Sequence, residues 1–278
     1  MNIDLSPIIR AADLTNKPRK GDYVNPQDGL LYCGSCKTPK QDHIELLGVK
    51  KIVGCQCKCA IERDNMERLK IKEREEMERI NRLRVNGIQD KSAQDYTFAN
   101  ANNTPILEKC QRYVGKWDQA LRENSGLIFW GNTGNGKTFA ACCIANALID
   151  QGVPVMVTSF PRLLAAMTGN FMGNRLEFLD SLSQFKLLVI DDLGAERSSS
   201  FALEQVYSVI DTRYKSGLPL IITTNLTLEE MKNPPNMDYQ RIYDRVLEMC
   251  SPLHFTGVSF RKETAAEKMQ IARRLLEG

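Results

Sequence analysis

The octet GNTGNGKT at residues 131–138 ends in a lysine and a threonine that follow a glycine-rich loop. It fits the pattern G-x-x-x-x-G-K-[ST], and it lies between an apolar run at 127–130 and small residues that favour a helix. Glycines let backbone N–H groups converge on a phosphate, and the start of a helix adds a favourable dipole. The octet therefore predicts a site for ATP, contacted by Gly131, Asn132, Thr133, Gly134, Asn135, Gly136, Lys137 and Thr138.

Four side chains in and near this loop predict hydrolysis with magnesium. We expect Lys137 to neutralise the outer phosphates and the Thr138 hydroxyl to ligate Mg²⁺. The stretch LLVIDDLG adds two carboxylates at the end of an apolar run. Asp191 is expected to hold the metal, and Asp192 to orient or polarise the attacking water near the γ-phosphate. Without the loop, two acids after an apolar run would indicate only a capped strand.

Polar residues further along the chain are weaker candidates. Asn225 follows the apolar stretch LIITT, where it could hydrogen-bond the attacking water or the γ-phosphate. Arg241 and Arg245 are spaced so that they share one face of a helix. Such a pair is typical of a solvated surface, but an arginine can also complete a neighbouring subunit's nucleotide site.

The elements that must position these residues alternate between strands and helices. From about residue 96 onward the apolar stretches are GLIFW, VPVMVTS, FKLLVIDD, LPLIITTN and, more weakly, PLHFTGV. Strands that alternate with helices predict an α/β fold, in which a parallel sheet is covered by helices on both faces. Pro154 lacks the N–H that an interior strand needs, so its strand is expected at an edge of the sheet.

Composition sets limits on the class of protein. The chain has 278 residues, of which 42% are hydrophobic and 26% charged, enough for a buried core and a smaller second domain. The formal charge of +3 is too small to indicate nucleic-acid binding by itself. The start of the chain does not resemble a targeting segment, and no stretch approaches the ~20 apolar residues of a membrane span. We therefore expect a soluble cytoplasmic protein with no membrane contact.

Five of the nine cysteines cluster near the start of the chain, in YCGSC and GCQCKC. This spacing is close to that of a tetrahedral, structural Zn²⁺ site, whereas buried free thiols or redox cysteines are the alternatives. Cys57 and Cys59 directly precede a predicted helix whose N-terminus favours thiolates. Cys55 could replace either of them, and His43 is a less favoured ligand. The preferred ligands are Cys33, Cys36, Cys57 and Cys59.

Three regions follow from these patterns. Residues 1–60 form a cysteine-rich zinc module, and residues 61–95 form a charged helix with a linker. Residues 96–278 form the nucleotide-binding domain. Tyr96 and Phe98 are expected to dock the linker onto that domain.

The order of the motifs GNTGNGKT, LLVIDDLG, IITTN, RIYDR and SFR resembles that of the bacterial and phage AAA+ helicase loaders of the DnaC and DnaI kind, relatives of the IstB transposition ATPases. The resemblance covers about residues 96–261, and the cysteine-rich front end is similar to that of Gram-positive and phage loaders. It implies an AAA+ P-loop fold, but only one helix is expected after Arg261, so the C-terminal lid of larger AAA+ members is expected to be minimal or missing. It also implies that Asn225 senses the γ-phosphate, that Arg245 is an arginine finger given to the adjacent subunit, and that Arg261 is a second sensor that contacts the nucleotide.

The same resemblance implies function. Members of this family bind the replicative DNA helicase through their front end, self-associate through AAA+ interfaces, and use ATP and contacts with single-stranded DNA to place the helicase. Many AAA+ enzymes have glutamate where this chain has Asp192, so we expect slow, DNA- or partner-stimulated hydrolysis. An IstB-like transposition helper and a non-hydrolysing, ATP-switched adaptor are the alternatives. Segments 162–175 and 196–217 carry hydroxyl and basic residues, Arg213 among them, that suit a DNA backbone or simply a solvated surface.

Overall fold

The structure is a computed structural model, and it divides into two compact units, Met1–Met77 and Glu78–Gly278. It describes residues 18–46, 48–101, 104–168, 175–194, 200–256 and 260–277, without the side chains at 46, 168, 260–267 and 277. Within these ranges, none of the helices combines the length and apolar character that crossing a bilayer requires.

The first unit contains two small antiparallel sheets and most of a long helix. Its elements are β1 (Tyr23–Val24), β2 (Leu31–Tyr32), β3 (Gln41–Leu46), β4 (Val49–Gly54) and α1 (Lys58–Gly87), the last of which ends in the second unit. The turn after β2 packs so tightly that a Cβ on Gly34 would lie 2.0 Å from the carbonyl oxygen of Gly21. Asp22 fixes the same turn, because its carboxylate accepts the Gly34 N–H at 3.2 Å and pairs with the buried Lys40 ammonium at 2.5 Å.

The second unit has the expected α/β architecture. Its strands are β5 (Gly126–Trp130), β6 (Val155–Ser159), β7 (Leu187–Leu193), β8 (Leu220–Thr224) and β9 (Cys250–His254). Its helices after α1 are α2 (Lys91–Gln94), α3 (Pro105–Gly115), α4 (Trp117–Arg122), α5 (Lys137–Asp150), α6 (Phe160–Thr168), α7 (Arg175–Ser181), α8 (Ser200–Ser216), α9 (Leu228–Lys232), α10 (Met237–Met249) and α11 (Phe260–Glu277). Short 3₁₀ turns cover Phe98–Asn100 and Leu182–Gln184.

The five strands form one parallel sheet in the order β6-β7-β8-β5-β9. Leu127 and Phe129 of β5 pack into one apolar core with α5, whereas Ile128 between them packs into a second core with α8 and α10. Because successive side chains of a strand point to opposite faces, this alternation places a helical layer on each side of the sheet. β6 is an edge strand and begins directly after Pro154, which confirms the expectation for that proline.

The linker before α3 is tied to the second unit by a buried asparagine. The Asn146 amide of α5 is 1% exposed and donates to the carbonyl oxygens of Ala93 (2.9 Å) and Tyr96 (3.0 Å). Ile88, at the end of α1, is fully buried and forms a parallel bridge with Val157 of β6. The Tyr96 ring lies 5.0 Å from that of Phe139. The expected docking of the linker through Tyr96 is therefore present.

Arg213 of α8 corrects one expectation. It is only 2% exposed, so it is not available to DNA. Its guanidinium donates to the carbonyl oxygens of Leu182, Phe185, Lys186 and Pro219, at distances from 2.6 to 3.4 Å. These carbonyls lie just before β7 and β8, so Arg213 fixes the starts of two adjacent interior strands. Burial lowers the pKa of Arg213 to about 10, which still leaves it charged at neutral pH.

Candidate functional site

The glycine-rich loop lies between the end of β5 and the start of α5. Gly131 has a φ of 139°, and a Cβ at this position would meet the carbonyl oxygen of Phe255 at 2.3 Å. No other residue fits there without displacing the backbone after β9. The Asn135 amide donates to the same Phe255 oxygen at 3.1 Å, so the segment after β9 contacts the loop and stabilises it.

Lys137 and Asn225 are brought together at this loop. The Lys137 side chain is 5% exposed, and its ammonium donates to the carbonyl oxygens of Gly131 and Asn132, each at 2.8 Å. It also donates to the Asn225 side-chain oxygen at 2.9 Å. Asn225 directly follows β8, the neighbour of β5, so the carboxyl ends of adjacent parallel strands place the two residues side by side.

Thr138 and Asp191 meet on the other side of the loop. The Thr138 hydroxyl donates to Asp191 Oδ1 at 2.8 Å, and the Thr223 hydroxyl donates to the same oxygen at 2.5 Å. A hydroxyl and a carboxylate in contact form a hard oxygen donor set of the kind that Mg²⁺ prefers. The residues at this position therefore fit a magnesium ion bound beside a nucleotide.

Asp192 adopts an unusual backbone conformation. Its φ is +58°, in the left-handed region that residues other than glycine, asparagine and aspartate rarely adopt. The pairing of β7 with β8 is irregular between Ile190 and Leu193, which is where this residue lies. The Asp192 N–H donates to the Thr223 hydroxyl oxygen at 3.0 Å. Asp192 thereby lines the cavity above the loop, together with Asn225.

That cavity has a volume of about 810 Å³. One end is formed by the loop, and the other by an apolar wall from the linker, α3 and α5. The wall residues are Tyr96, Ala101, Ile106, Leu107 and Phe139. Asn100, Thr104 and Lys268 also line it. The motifs did not identify these residues. Phe139 directly follows the octet, but the others are brought to the loop by the packed linker, by α3 and by α11, and the aromatic residues of the linker were the one available signal.

Arg245 is not among the residues that line this cavity. It lies on α10 and forms an ion pair with Asp211 of α8 at 2.8 Å. Its guanidinium also stacks over the rings of Tyr207 (4.5 Å) and Tyr214 (5.5 Å). Arg241, one turn earlier, is exposed. Within one chain, therefore, neither arginine is brought to the phosphate loop, and the side chain of Arg261 lies outside the described residues.

The first unit gathers four of the five clustered cysteines. The sulfur atoms of Cys33, Cys36, Cys57 and Cys59 all lie within 4.8 Å of one another. Cys59 is 3.4 Å from Cys57 and 3.6 Å from Cys33, close to the spacing of about 3.8 Å that tetrahedral Zn–S bonds of ~2.3 Å require. The donor set therefore fits zinc.

Distance separates the cluster from the other candidate ligands, whereas thiol pKa does not, because hydrogen bonding with Cys57 raises the pKa of Cys59 to about 12. A hydrogen bond from the Thr38 hydroxyl, at 3.1 Å, lowers the pKa of Cys36 to about 5 and favours its metal-binding thiolate form. Cys55 lies outside the group, with its thiol 3.6 Å from the Pro39 carbonyl oxygen, and burial raises its pKa. His43 lies on β3 and is also outside the group.

Known proteins resemble this chain over half of its length or more. The replicative helicase loader DnaC of Escherichia coli (strain K12) is 28% identical over 207 residues, which cover 73% of this chain and 79% of that protein. The replicative helicase loader DnaI of Bacillus subtilis (strain 168) is 25% identical over 150 residues, which cover 50% of this chain and 48% of that protein. The resemblance to helicase loaders that the motifs indicated is thus confirmed.

Solved structures agree on the fold. The crystal structure of DnaI superposes with a TM-score of 0.51 at 22% identity and covers 61% of this chain and 93% of that one. This likeness confirms the α/β fold of the second unit. The model of the family described as "IstB-like ATP binding protein" matches residues 59–268, well over half of the chain. The chain therefore belongs to the family of IstB-like ATP-binding proteins.

Proposed function

We propose that this protein is an ATP-hydrolysing loader that binds a replicative DNA helicase and places it on single-stranded DNA. The observation that carries the proposal is the junction of the loop with two strand ends. Lys137 contacts Asn225 there, and Thr138 contacts Asp191. The similarity to two helicase loaders supports the biological role.

Each side chain at the loop and the two strand ends has a separate role in ATP hydrolysis. Lys137 exchanges its loop carbonyl partners for the outer phosphates, and loop N–H groups hold the remaining phosphate oxygens. Thr138 and Asp191 would hold Mg²⁺, which would supply positive charge to offset the charge that develops on the phosphates. Asp192 orients the attacking water, and Asn225 hydrogen-bonds that water or the γ-phosphate. Positioning and electrostatics account for the chemistry, because no covalent intermediate is needed.

The apolar wall of the cavity accepts the nucleoside part of ATP. Tyr96 and Phe139 offer flat rings, and Asn100 and Thr104 offer polar groups at the rim. The Thr104 hydroxyl already accepts the Leu107 N–H at 3.4 Å as the cap of α3. Because the wall includes the linker, ATP binding stabilises the docked position of residues 96–101.

Self-association completes the site. Arg245 is held by Asp211 and two tyrosines on the surface formed by α8 and α10, and we infer that a neighbouring subunit receives it as an arginine finger. Arg261 acts as a second sensor within the same chain. Guanidinium groups at these positions stabilise the charge of the transition state.

We further propose that residues 1–60 form a zinc module that binds the helicase, that residues 61–95 are a spacer, and that residues 96–278 form the AAA+ ATPase domain. Zinc on Cys33, Cys36, Cys57 and Cys59 is structural, since four thiolates leave no open position for a substrate. The cysteine cluster also favours a loader over the transposition helper. An adaptor that binds ATP without hydrolysing it remains the second candidate, and the short Asp192 side chain is the observation that favours it.

Replacement of Lys137 tests the proposal. ATP binding and turnover are measured for the full chain, for Lys137→Ala and for the exposed-lysine control Lys109→Ala, with and without single-stranded DNA. Loss of the buried ammonium is expected to lower turnover about 100-fold or more, whereas the control keeps it. The ATPase assignment is wrong if the intact chain binds no ATP, or if Lys137→Ala hydrolyses ATP as fast as the wild type. Binding without turnover would identify the adaptor.

The loader role has its own test. The tagged full chain is used to capture proteins from an extract of its host, with a variant in which all four cluster cysteines are serine as the comparison. A replicative helicase retained by the wild-type chain and lost from the variant is the expected result. Capture of a transposase instead of the helicase would overturn the loader proposal.

A further inference from the structure

The Thr223 hydroxyl links the two carboxylate residues of the candidate site. Thr223 is the fourth residue of β8, and it is fully buried. Its Oγ1 accepts the N–H of Asp192 at 3.0 Å and donates to Asp191 Oδ1 at 2.5 Å. The hydroxyl thereby accepts one hydrogen bond and donates one. It has no second hydrogen atom to donate.

These contacts compensate for a break in the sheet. The parallel pairing of β7 with β8 is irregular between Ile190 and Leu193, so Asp192 is displaced from the regular ladder. The Thr223 side chain supplies the acceptor that the Asp192 N–H needs there. The next residue, Thr224, donates to the Leu193 carbonyl oxygen at 2.7 Å and ends the irregular segment. The left-handed conformation of Asp192 is therefore fixed from β8.

The same hydroxyl fixes the rotation of the Asp191 side chain. Oδ1 accepts both Thr138 and Thr223, whose hydroxyls lie on α5 and on β8. Both hydroxyls donate to Oδ1. Among the described residues, these two hydrogen bonds therefore leave the second carboxylate oxygen, Oδ2, available to other ligands. An outer contact that orients a ligating carboxylate typically changes metal affinity when it is removed.

We propose that Thr223 is a positioning residue for the reaction: it sets the direction of the Asp191 carboxylate towards magnesium and of Asp192 towards the attacking water. This inference rests on the proposed ATPase function. It adds a residue outside the cavity, since Thr223 is absent from the cavity lining. Valine has nearly the same shape as threonine but makes neither hydrogen bond, whereas serine keeps both.

The experiment compares the full-length wild type with Thr223→Val, Thr223→Ser and the control Thr158→Val. Thr158 is also a buried threonine of this sheet, on β6, and it makes none of the described contacts with the two carboxylates. Calorimetry measures ADP and ATP binding in EDTA and in Mg²⁺, and steady-state assays give kcat and KM. Thermal unfolding followed by tryptophan fluorescence checks that each variant is folded.

In EDTA, Thr223→Val is expected to bind ATP as the wild type does. The increase in ATP affinity that Mg²⁺ causes is expected to be about tenfold smaller than in the wild type. The value of kcat is expected to fall about tenfold or more, with little change in KM. Thr223→Ser and Thr158→Val are expected to retain the wild-type values. A purely structural residue would lower the unfolding temperature without changing this magnesium dependence.

Two results would overturn the proposal. One is a folded Thr223→Val protein with the wild-type magnesium gain and kcat. The other is loss of ATP binding in EDTA as well, which would place Thr223 in the support of the loop instead. Failure of the ATPase function itself is visible separately, because then the wild type shows no ATP turnover in the same steady-state assay.

Discussion

Asp192 combines a functional position with a backbone constraint. In its left-handed conformation, aspartate is tolerated better than glutamate, because its short side chain can hydrogen-bond locally. In the proposed reaction, the same short side chain holds the carboxylate further from the attacking water than glutamate would. The choice of aspartate at this position therefore favours local stability over rate.

Replacement of Asp192 by glutamate is expected to raise the rate of hydrolysis and to lower the stability of the fold. Turnover should rise by about tenfold, because the additional methylene extends the carboxylate towards the water. The unfolding free energy should fall by ~1–2 kcal/mol, because glutamate fits the left-handed conformation less well. Steady-state assays and urea unfolding measure the two effects, and Asp192→Asn, which fits the backbone but lacks the carboxylate, should lose turnover. A glutamate variant no faster than the wild type would contradict this geometric account.

Some site residues could be predicted from the sequence and others could not, for a physical reason. Lys137, Asp191 and Asn225 follow apolar runs, and the carboxyl ends of parallel strands must meet at one edge of the sheet. Thr223 lies inside such a run, and its role depends on the irregular pairing of β7 with β8. Ile106 lines the cavity because α3 packs against the core that includes α5. Contacts of this kind depend on register and packing, which motif spacing does not contain.

At the scale of elements, Arg213 connects α8 to the starts of the two strands that carry the carboxylates and Asn225. Its sequence context, DTRYKSG, suggests an exposed helix end, because two charged or polar neighbours flank it. The structure places it at the buried side instead, where backbone carbonyls that precede β7 and β8 are its partners. Helical periodicity could not identify this residue, since the carbonyls that it satisfies come from distant segments.

Replacement of Arg213 by methionine is expected to destabilise the second unit by ~3–5 kcal/mol, because several buried carbonyl oxygens lose their donors. Lysine should restore only part of the loss, since one ammonium cannot span the positions that the guanidinium reaches. Both tryptophans of the chain, Trp117 and Trp130, lie in this unit, so tryptophan fluorescence during urea unfolding reports on it alone. The exposed Arg112 provides the control, and Arg112→Met should change stability by less than ~0.5 kcal/mol. Equal effects at the two positions would contradict this role.

At the scale of the whole molecule, the two compact units contain different kinds of core. The second unit buries two large apolar clusters around its sheet, which are sufficient to stabilise a domain of its size. The first unit has short strands, and several apolar residues of the antiparallel pair β3 and β4, such as Val49 and Ile52, are exposed. A module with so small a core generally requires a metal or disulfides, and all its cysteines are free thiols.

Zinc removal is therefore expected to unfold the first unit and spare the second. The purified full chain should contain about one zinc ion, and a strong chelator should expose the region before α1 to proteolysis while tryptophan fluorescence and ATP binding persist. Cys57→Ser should lose the metal because its sulfur belongs to the cluster of four, whereas Cys55→Ser should retain it because its thiol lies outside. Elemental analysis measures both. If Cys55→Ser lost zinc and Cys57→Ser kept it, the ligand set would be wrong; if the chelated protein lost ATP binding as well, the two units would not be stabilised independently.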